Sequence, residues 1–151
     1  LDIAVRSLVE EWVRQSRRRG VLMLLGADTQ VRFEEEHLRR ILVNLLDNAA
    51  RYASQDEGAI QVSTAVGANR RAQLVVWSDG APLDPAVQRH LFEPFFSSES
   101  RSSGLGLYIC RELCERHGAT IGYERRTLGI EGREGNSFFV HFAPTQPLPP
   151  Q

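Results

Sequence analysis

Residues 34–54 constrain the fold more than any other stretch. Leu38, Ile41, Leu42, Leu45, Leu46 and Ala49 recur at intervals of three and four, the spacing that lines apolar side chains along one helix face. A helix is therefore predicted over 34–54, with a face that needs a broad apolar partner. Asn44, Asn48, Arg51 and Gln55 fall on one stripe at about 100° per residue, bordering the apolar face. This stripe admits two readings. Carboxamide oxygens are neutral, hard ligands suited to Mg²⁺, which keeps several waters and takes other oxygens from phosphate. Arg51, one turn on, then meets phosphate charge. Alternatively, the asparagines hold backbone groups at the core edge.

The partner for that helix must come from the other elements. Ile3 to Arg18 repeats Val5, Leu8, Val9, Trp12 and Val13 at helical spacing, closed by Gly20. Residues 21–25 and 30–33 read as short strands around "GADT", and 58–65 and 72–77 as strands joined by "VGANR". Pro85 opens a short helix to Leu91. A helix over 105–117 ends at Gly118, and strands over 120–126 and 137–142 flank a glycine-rich loop. Strand pairs between helices predict an α+β fold. Its form is a two-layer sandwich, a mixed, mostly antiparallel sheet of about five strands with helices on one face. Strict strand–helix alternation of the doubly wound kind is missing. A chain of 151 residues fits one domain, predicted over 1–143, with the tail 144–151 disordered.

Composition removes some function classes. A net charge of −1 advertises no nucleic-acid surface, and "VLMLL" is too short to span a membrane. No signal peptide is visible, and the chain opens inside a helix, which is the expectation for a domain of a larger protein. The two cysteines, Cys110 and Cys114, lie four apart in a helical pattern and read as buried free thiols, in keeping with a reducing, cytoplasmic setting.

Three further stretches carry chemistry. In "VVWSDGAPL", residues 75–83, Ser78, Asp79 and Gly80 end a buried strand. Asp-Gly is either turn chemistry or a carboxylate placed to accept from an exocyclic amine such as that of adenine. "LFEPFF", residues 91–96, is core packing or the anchor of a mobile lid. In "SSGLGLYICREL", residues 102–113, Gly104 and Gly106 precede a helix whose first N–H groups can meet phosphate. The third glycine of a dinucleotide fingerprint and the G-K-[ST] of a P-loop are both missing.

In this order and spacing the four stretches resemble the ATP-binding catalytic domain of bacterial sensor histidine kinases, in the superfamily shared with gyrase, Hsp90 and MutL. "NLLDNAARY" looks like that family's N box, "SDGAPL" its first glycine box, "FEPFF" its F box and "GLGLYICRELCERHG" its second glycine box. The last two are similar in particular to the pilus- and nitrogen-regulating sensor kinases. The resemblance implies a Bergerat-type fold with ATP between the N-box helix and a lid over 83–103. It implies that Asn48 coordinates Mg²⁺ with help from Asn44, that Arg51 contacts phosphate, and that Tyr52 lies beside the nucleotide. Arg101, Ser103, Gly104, Leu105, Gly106 and Leu107 are the implied phosphate-side residues, and Ser78, Asp79 and Gly80 the adenine side. Asn44 stands where the gyrase and Hsp90 branch has a Glu, and an amide cannot act as a general base. That fits transfer to a protein histidine.

The chain departs from the pattern at the adenine side. The family's first glycine box is D-x-G-x-G; here Ser78 takes the Asp position, Asp79 follows it, and Pro82 replaces the second Gly. Asp79 is expected to be the main adenine anchor, with Ser78 the other candidate. Ser102 and Glu99 replace a common Gly and lid Lys, and Arg101 can supply the missing charge. None of the four histidines, His37, His90, His117 and His141, has the acceptor context, and each reads as a surface or edge residue. The implied partners are upstream dimerisation and phosphoacceptor helices and, through the full-length kinase, a response regulator. The fragment is expected to be monomeric and its parent a homodimer. The alternatives are a non-catalytic nucleotide sensor or pseudokinase, and a superfamily ATPase or serine kinase.

Overall fold

A computed structural model describes residues 1–95, 105–128 and 132–144. The elements are α1 (Asp2–Ser16), β1 (Val21–Leu25), α2 (Glu35–Tyr52), β2 (Ile60–Val66), β3 (Ala72–Ser78), α3 (Pro85–Arg89), α4 (Gly106–Arg116), β4 (Thr120–Leu128) and β5 (Arg133–His141). The five strands form one sheet in the order β1-β2-β3-β5-β4. β1 runs parallel to β2, and the other pairs are antiparallel. The α+β sandwich and its mixed sheet are as the strand pairs predicted.

One core joins the layers. The repeat of α2 is buried in full, from Leu38 to Ala49. It meets Val5, Leu8, Val9 and Trp12 of α1, Cys110, Leu113 and Cys114 of α4, and the inward residues of β2, β3 and β5. Strand alternation selects those inward residues: Ile60 and Val62, Leu74 and Val76, Phe138 and Val140. In register, Leu74 faces Val140 and Val76 faces Phe138. Each fully buried aliphatic or aromatic side chain contributes about 1.5–3 kcal/mol of transfer free energy.

Element ends differ from the expected ones for local reasons. α1 stops at Ser16, where Arg17 turns left-handed at φ 58° and donates its N–H to Val13. α2 ends at Tyr52, with Ala53 extended, so Gln55 lies off the helix and leaves the predicted stripe. α3 is capped by Asp84, which accepts from the Ala86 N–H. Gly118 closes α4 at φ 70°, as predicted.

Residues 30–33 are not a strand. Val31 and Phe33 do turn toward the core, as their alternation suggested. The segment runs on into α2 and enters no strand pair, although β1, paired only with β2, keeps its outer edge open. Phe33 instead plugs one end of the core, with its ring 5.5 Å from Phe142.

Candidate functional site

The polar stripe of α2 meets the start of α4. Asn44 is half-buried, and its amide nitrogen donates to the Gly106 carbonyl (3.4 Å) and toward the Cys110 sulfur (3.7 Å). One turn on, the half-buried Asn48 carboxamide has no hydrogen-bond partner among the described residues. Arg51 and Tyr52 follow on the exposed last turn of α2, each with contacts of its own. On the facing helix, Leu105 is the N-cap residue without a side-chain cap bond, and Gly106 opens the helix. Among the described residues a Cβ at Gly106 would meet nothing nearer than Asn44, at 3.9 Å, so the first turn of α4 lies beside the carboxamides. Leu107 is half-buried against the core. Among the described residues this corner offers two carboxamide oxygens, and Asp47, on the same helix, is turned away to accept from the Trp12 indole (2.8 Å). Such a set fits Mg²⁺ held largely by waters and phosphate oxygens.

The end of β3 forms the second wall. Ser78 is buried and lies across from Asn136 of β5. Alternation puts it on the face of Leu74 and Val76, toward the helices. Gly80 sits under the end of α2; a Cβ there would lie 3.3 Å from both the Tyr52 Cβ and the Asn136 Nδ2.

Asp79, the expected adenine anchor, is committed elsewhere. Its oxygens accept from the Ser54 N–H (2.8 Å), the Ser54 hydroxyl (2.5 Å) and the Arg133 guanidinium (2.5 Å). Its side chain is 8% exposed. Burial opposes its ionisation, but the Ser54 and Arg133 hydrogen bonds outweigh that and hold its pKa below the ordinary 3.8. Arg133 also lies over the Trp77 ring, on the opposite face from Val76. The carboxylate is thus a brace between the end of α2 and β5.

Sequence reasoning missed the hairpin residues that hold this loop. Arg125 of β4 donates to the Gly80 carbonyl (2.6 Å) and to the Asn136 side-chain oxygen (3.1 Å). The Tyr123 hydroxyl donates to that same oxygen (2.5 Å), and burial pushes its pKa up, which keeps it a donor. The Asn136 amide then donates to the Ala81 carbonyl (2.9 Å). The available signal was polar Arg and Asn in strands that are otherwise half apolar, but the expected strand began at 137, four residues after the true start at Arg133 and one after Asn136.

Other expected residues divide. Phe92 packs on Phe138 at 6.4 Å at the edge of the core, as either reading of this stretch allows, whereas Phe95 is 80% exposed at φ 61°. Arg101, Ser103 and Gly104, with Glu99, Ser102 and most of the expected lid, lie outside the described residues. His37 and His117, each expected to be a surface or edge residue, are in contact at 2.9 Å.

An α+β sandwich with a carboxamide-bearing helix facing a glycine-led helix start defines a nucleotide-binding class of fold, and the comparisons agree. The chain belongs to the family described as histidine kinase-, DNA gyrase B-, and HSP90-like ATPase, matched over residues 33–146. Within it, the chain is 38% identical over 144 residues to the sensor protein kinase PilS of Pseudomonas aeruginosa, covering 92% of this chain and 26% of that protein. It is 37% identical over 117 residues to the histidine-protein kinase/phosphatase MprB of Mycobacterium avium, covering 75% of this chain and 22% of that protein. The chain therefore spans about a quarter of these relatives. Two solved structures share the fold at 24% identity. A mycobacterial sensor histidine kinase MprB has a TM-score of 0.73 and coverage of 92% of each chain. The nucleotide-free catalytic domain of the histidine kinase ThkA has a TM-score of 0.74, with 94% of this chain and 91% of that one covered. Among the described residues no helix is long and apolar enough to cross a membrane.

Proposed function

We propose that this chain is the catalytic ATP-binding domain of a two-component sensor histidine kinase, which binds MgATP and passes the γ-phosphoryl group to a histidine on separate upstream helices. The observation that carries the reading is the meeting of Asn44 with Gly106, which brings two carboxamides and a helix start to one corner. Asn48 and Asn44 would hold Mg²⁺, whose charge would neutralise phosphate oxygens. Arg51 adds positive charge, and the first N–H groups of α4, from Gly106 and Leu107 onward, bind phosphate. Arg101, Ser103, Gly104 and Leu105 complete that side. Asn44, as a neutral amide, leaves water unactivated, so catalysis is positioning and charge neutralisation rather than base chemistry.

On the adenine side the reading assigns Ser78, not Asp79, to the base. Ser78 faces the helix layer, whereas Asp79 is held by Ser54 and Arg133. A hydroxyl accepts a weaker hydrogen bond than a carboxylate, so nucleotide affinity is expected to be modest. That same substitution favours the second reading, a nucleotide-sensing domain without catalysis. The partners are the upstream dimerisation helices and, through the parent homodimer, a response regulator, in a cytoplasmic setting.

The test mixes the chain with the upstream helices of its parent protein and γ-labelled ATP. Acid-labile phosphate on the helices, dependent on this chain and on Mg²⁺, is the expected result. Saturable nucleotide binding with no transfer would replace the kinase with the sensor. Label on this chain alone would contradict both.

A further inference from the structure

We propose that Glu34, His37 and His117 form a binding site for a divalent transition-metal ion of the zinc class, distinct from the nucleotide corner. His37 Nδ1 and His117 Nε2 lie 2.9 Å apart, and His37 Nε2 lies 2.9 Å from a Glu34 carboxylate oxygen. One ligand atom from each residue falls within 4.8 Å of the others. Two ring nitrogens at this distance share one proton and cannot each carry one. A cation that accepts both lone pairs removes that conflict. Zinc takes imidazole nitrogens at about 2.0–2.1 Å, which puts neighbouring ligands roughly 3.3 Å apart in a tetrahedron. The two rings need to separate by only a few tenths of an ångström.

The surroundings suit a cation. Glu34 is the N-cap residue of α2, yet its side chain makes no cap bond. It turns to His37 instead, and at 66% side-chain exposure it is free to swing in as a third ligand. Glu35 and Glu36 follow it and are exposed. His117 is the C-cap residue of α4, where the helix dipole favours positive charge. The Phe33 ring, 4.1 Å from His117, backs the site on the core side. His37 keeps 23% exposure, which gives the ion an entry path. Arg32, Arg39 and Arg116 are the nearest cations in sequence; Arg39 is paired with Glu11 and Glu36, and Arg32 and Arg116 are exposed.

The site sits at the far end of the α2–α4 pair. Asn44 meets Gly106 at one end, His37 meets His117 at the other, and so the two helices run antiparallel. Seven residues of helix separate His37 from Asn44, about 10 Å. A bound ion would tie the two helices whose opposite ends carry the carboxamides and the glycine start.

The experiment uses the tag-free chain, titrated with Zn²⁺ by calorimetry and with Co²⁺ by absorption. The expected result is one Zn²⁺ per chain, a Tm raised by roughly 5–10 °C at a hundredfold excess over Kd, and a visible Co²⁺ band without thiolate charge transfer. The last feature separates the site from Cys110 and Cys114. His37→Gln and His117→Gln should each weaken Zn²⁺ binding at least tenfold. His37→Gln is the safer variant, since His117 packs on Phe33, and circular dichroism confirms its fold. Glu34→Gln, which leaves both rings in place, should weaken binding severalfold. No saturable binding, thiolate absorption, or unchanged affinity in His37→Gln or Glu34→Gln overturns the proposal.

Discussion

Replacing Asp79 by Ala separates its two possible roles. The carboxylate accepts three hydrogen bonds, two from Ser54 and one from Arg133. Its side chain is 8% exposed and that of Arg133 is 34% exposed. Hydrogen bonds to charged groups contribute about 1.5–3 kcal/mol each, and breaking a fully buried ion pair costs about 3–5 kcal/mol. Arg133 regains water when its partner is lost, so the low end applies, and the expected loss is about 2–3 kcal/mol. In a domain of this size that lowers Tm by roughly 5–10 °C. The loss should also depend on pH. The folded-state pKa lies below 3.8, so the stabilisation is complete above the ordinary aspartate range and disappears as pH falls through the folded value. Wild type and mutant should therefore draw together in stability as pH falls below the ordinary aspartate range. Below its melting range the variant should bind ADP within about threefold of wild type, whereas Ser78→Ala should weaken binding by about three- to tenfold. The assays are thermal melts from about pH 2 to 7 and calorimetry with ADP and Mg²⁺. A variant with unchanged Tm and ADP affinity reduced tenfold or more would refute the brace and return Asp79 to the base.

Gly135→Ala should destabilise by about 3 kcal/mol or more, since its Cβ would collide with the Ser78 carbonyl oxygen and the Trp77 indole; urea unfolding reads this. Asn48→Ala should abolish phosphotransfer to the upstream helices with Tm within about 2 °C of wild type, because the lost carboxamide has no partner among the described residues. Burial pushes the thiols of Cys110 and Cys114 up to about 11 and about 12. Labelling with a thiol reagent at neutral pH should therefore be at least about a hundredfold slower than for the urea-unfolded chain.

Periodicity made the large elements legible. Six apolar positions of α2 and the strands β2 and β3 were legible because burial imposes a period on α2 and β2 and a continuous apolar run on β3. Val31 and Phe33 carry the same alternation as β2 without being a strand, since alternation reports which side is buried and not whether a strand pair forms. The carboxamide corner was legible in part, because Asn44 and Asn48 are one turn apart on a single helix. The brace that holds Asp79, and the facing of Ser78, were not. They depend on Arg133, 54 residues further on, and on a pleat whose phase is set by the β3–β5 register. The contact of His37 with His117, 80 residues apart, left no local mark either.

The placement of β5 between β3 and β4 has a consequence for synthesis. β5 is the last strand in chain order, yet it is the inner neighbour of β3. It supplies Arg133 to Asp79 and Asn136 to Ala81, and orients Arg125 toward Gly80. A nascent chain that has emerged only as far as α4 has its carboxamide helix and glycine start but an open β3 edge and an unbraced loop. The loop after β3 is thus left unbraced until translation is past β5, and a chain cut short within β4 would carry the motifs without Arg133 and Asn136 to hold that loop.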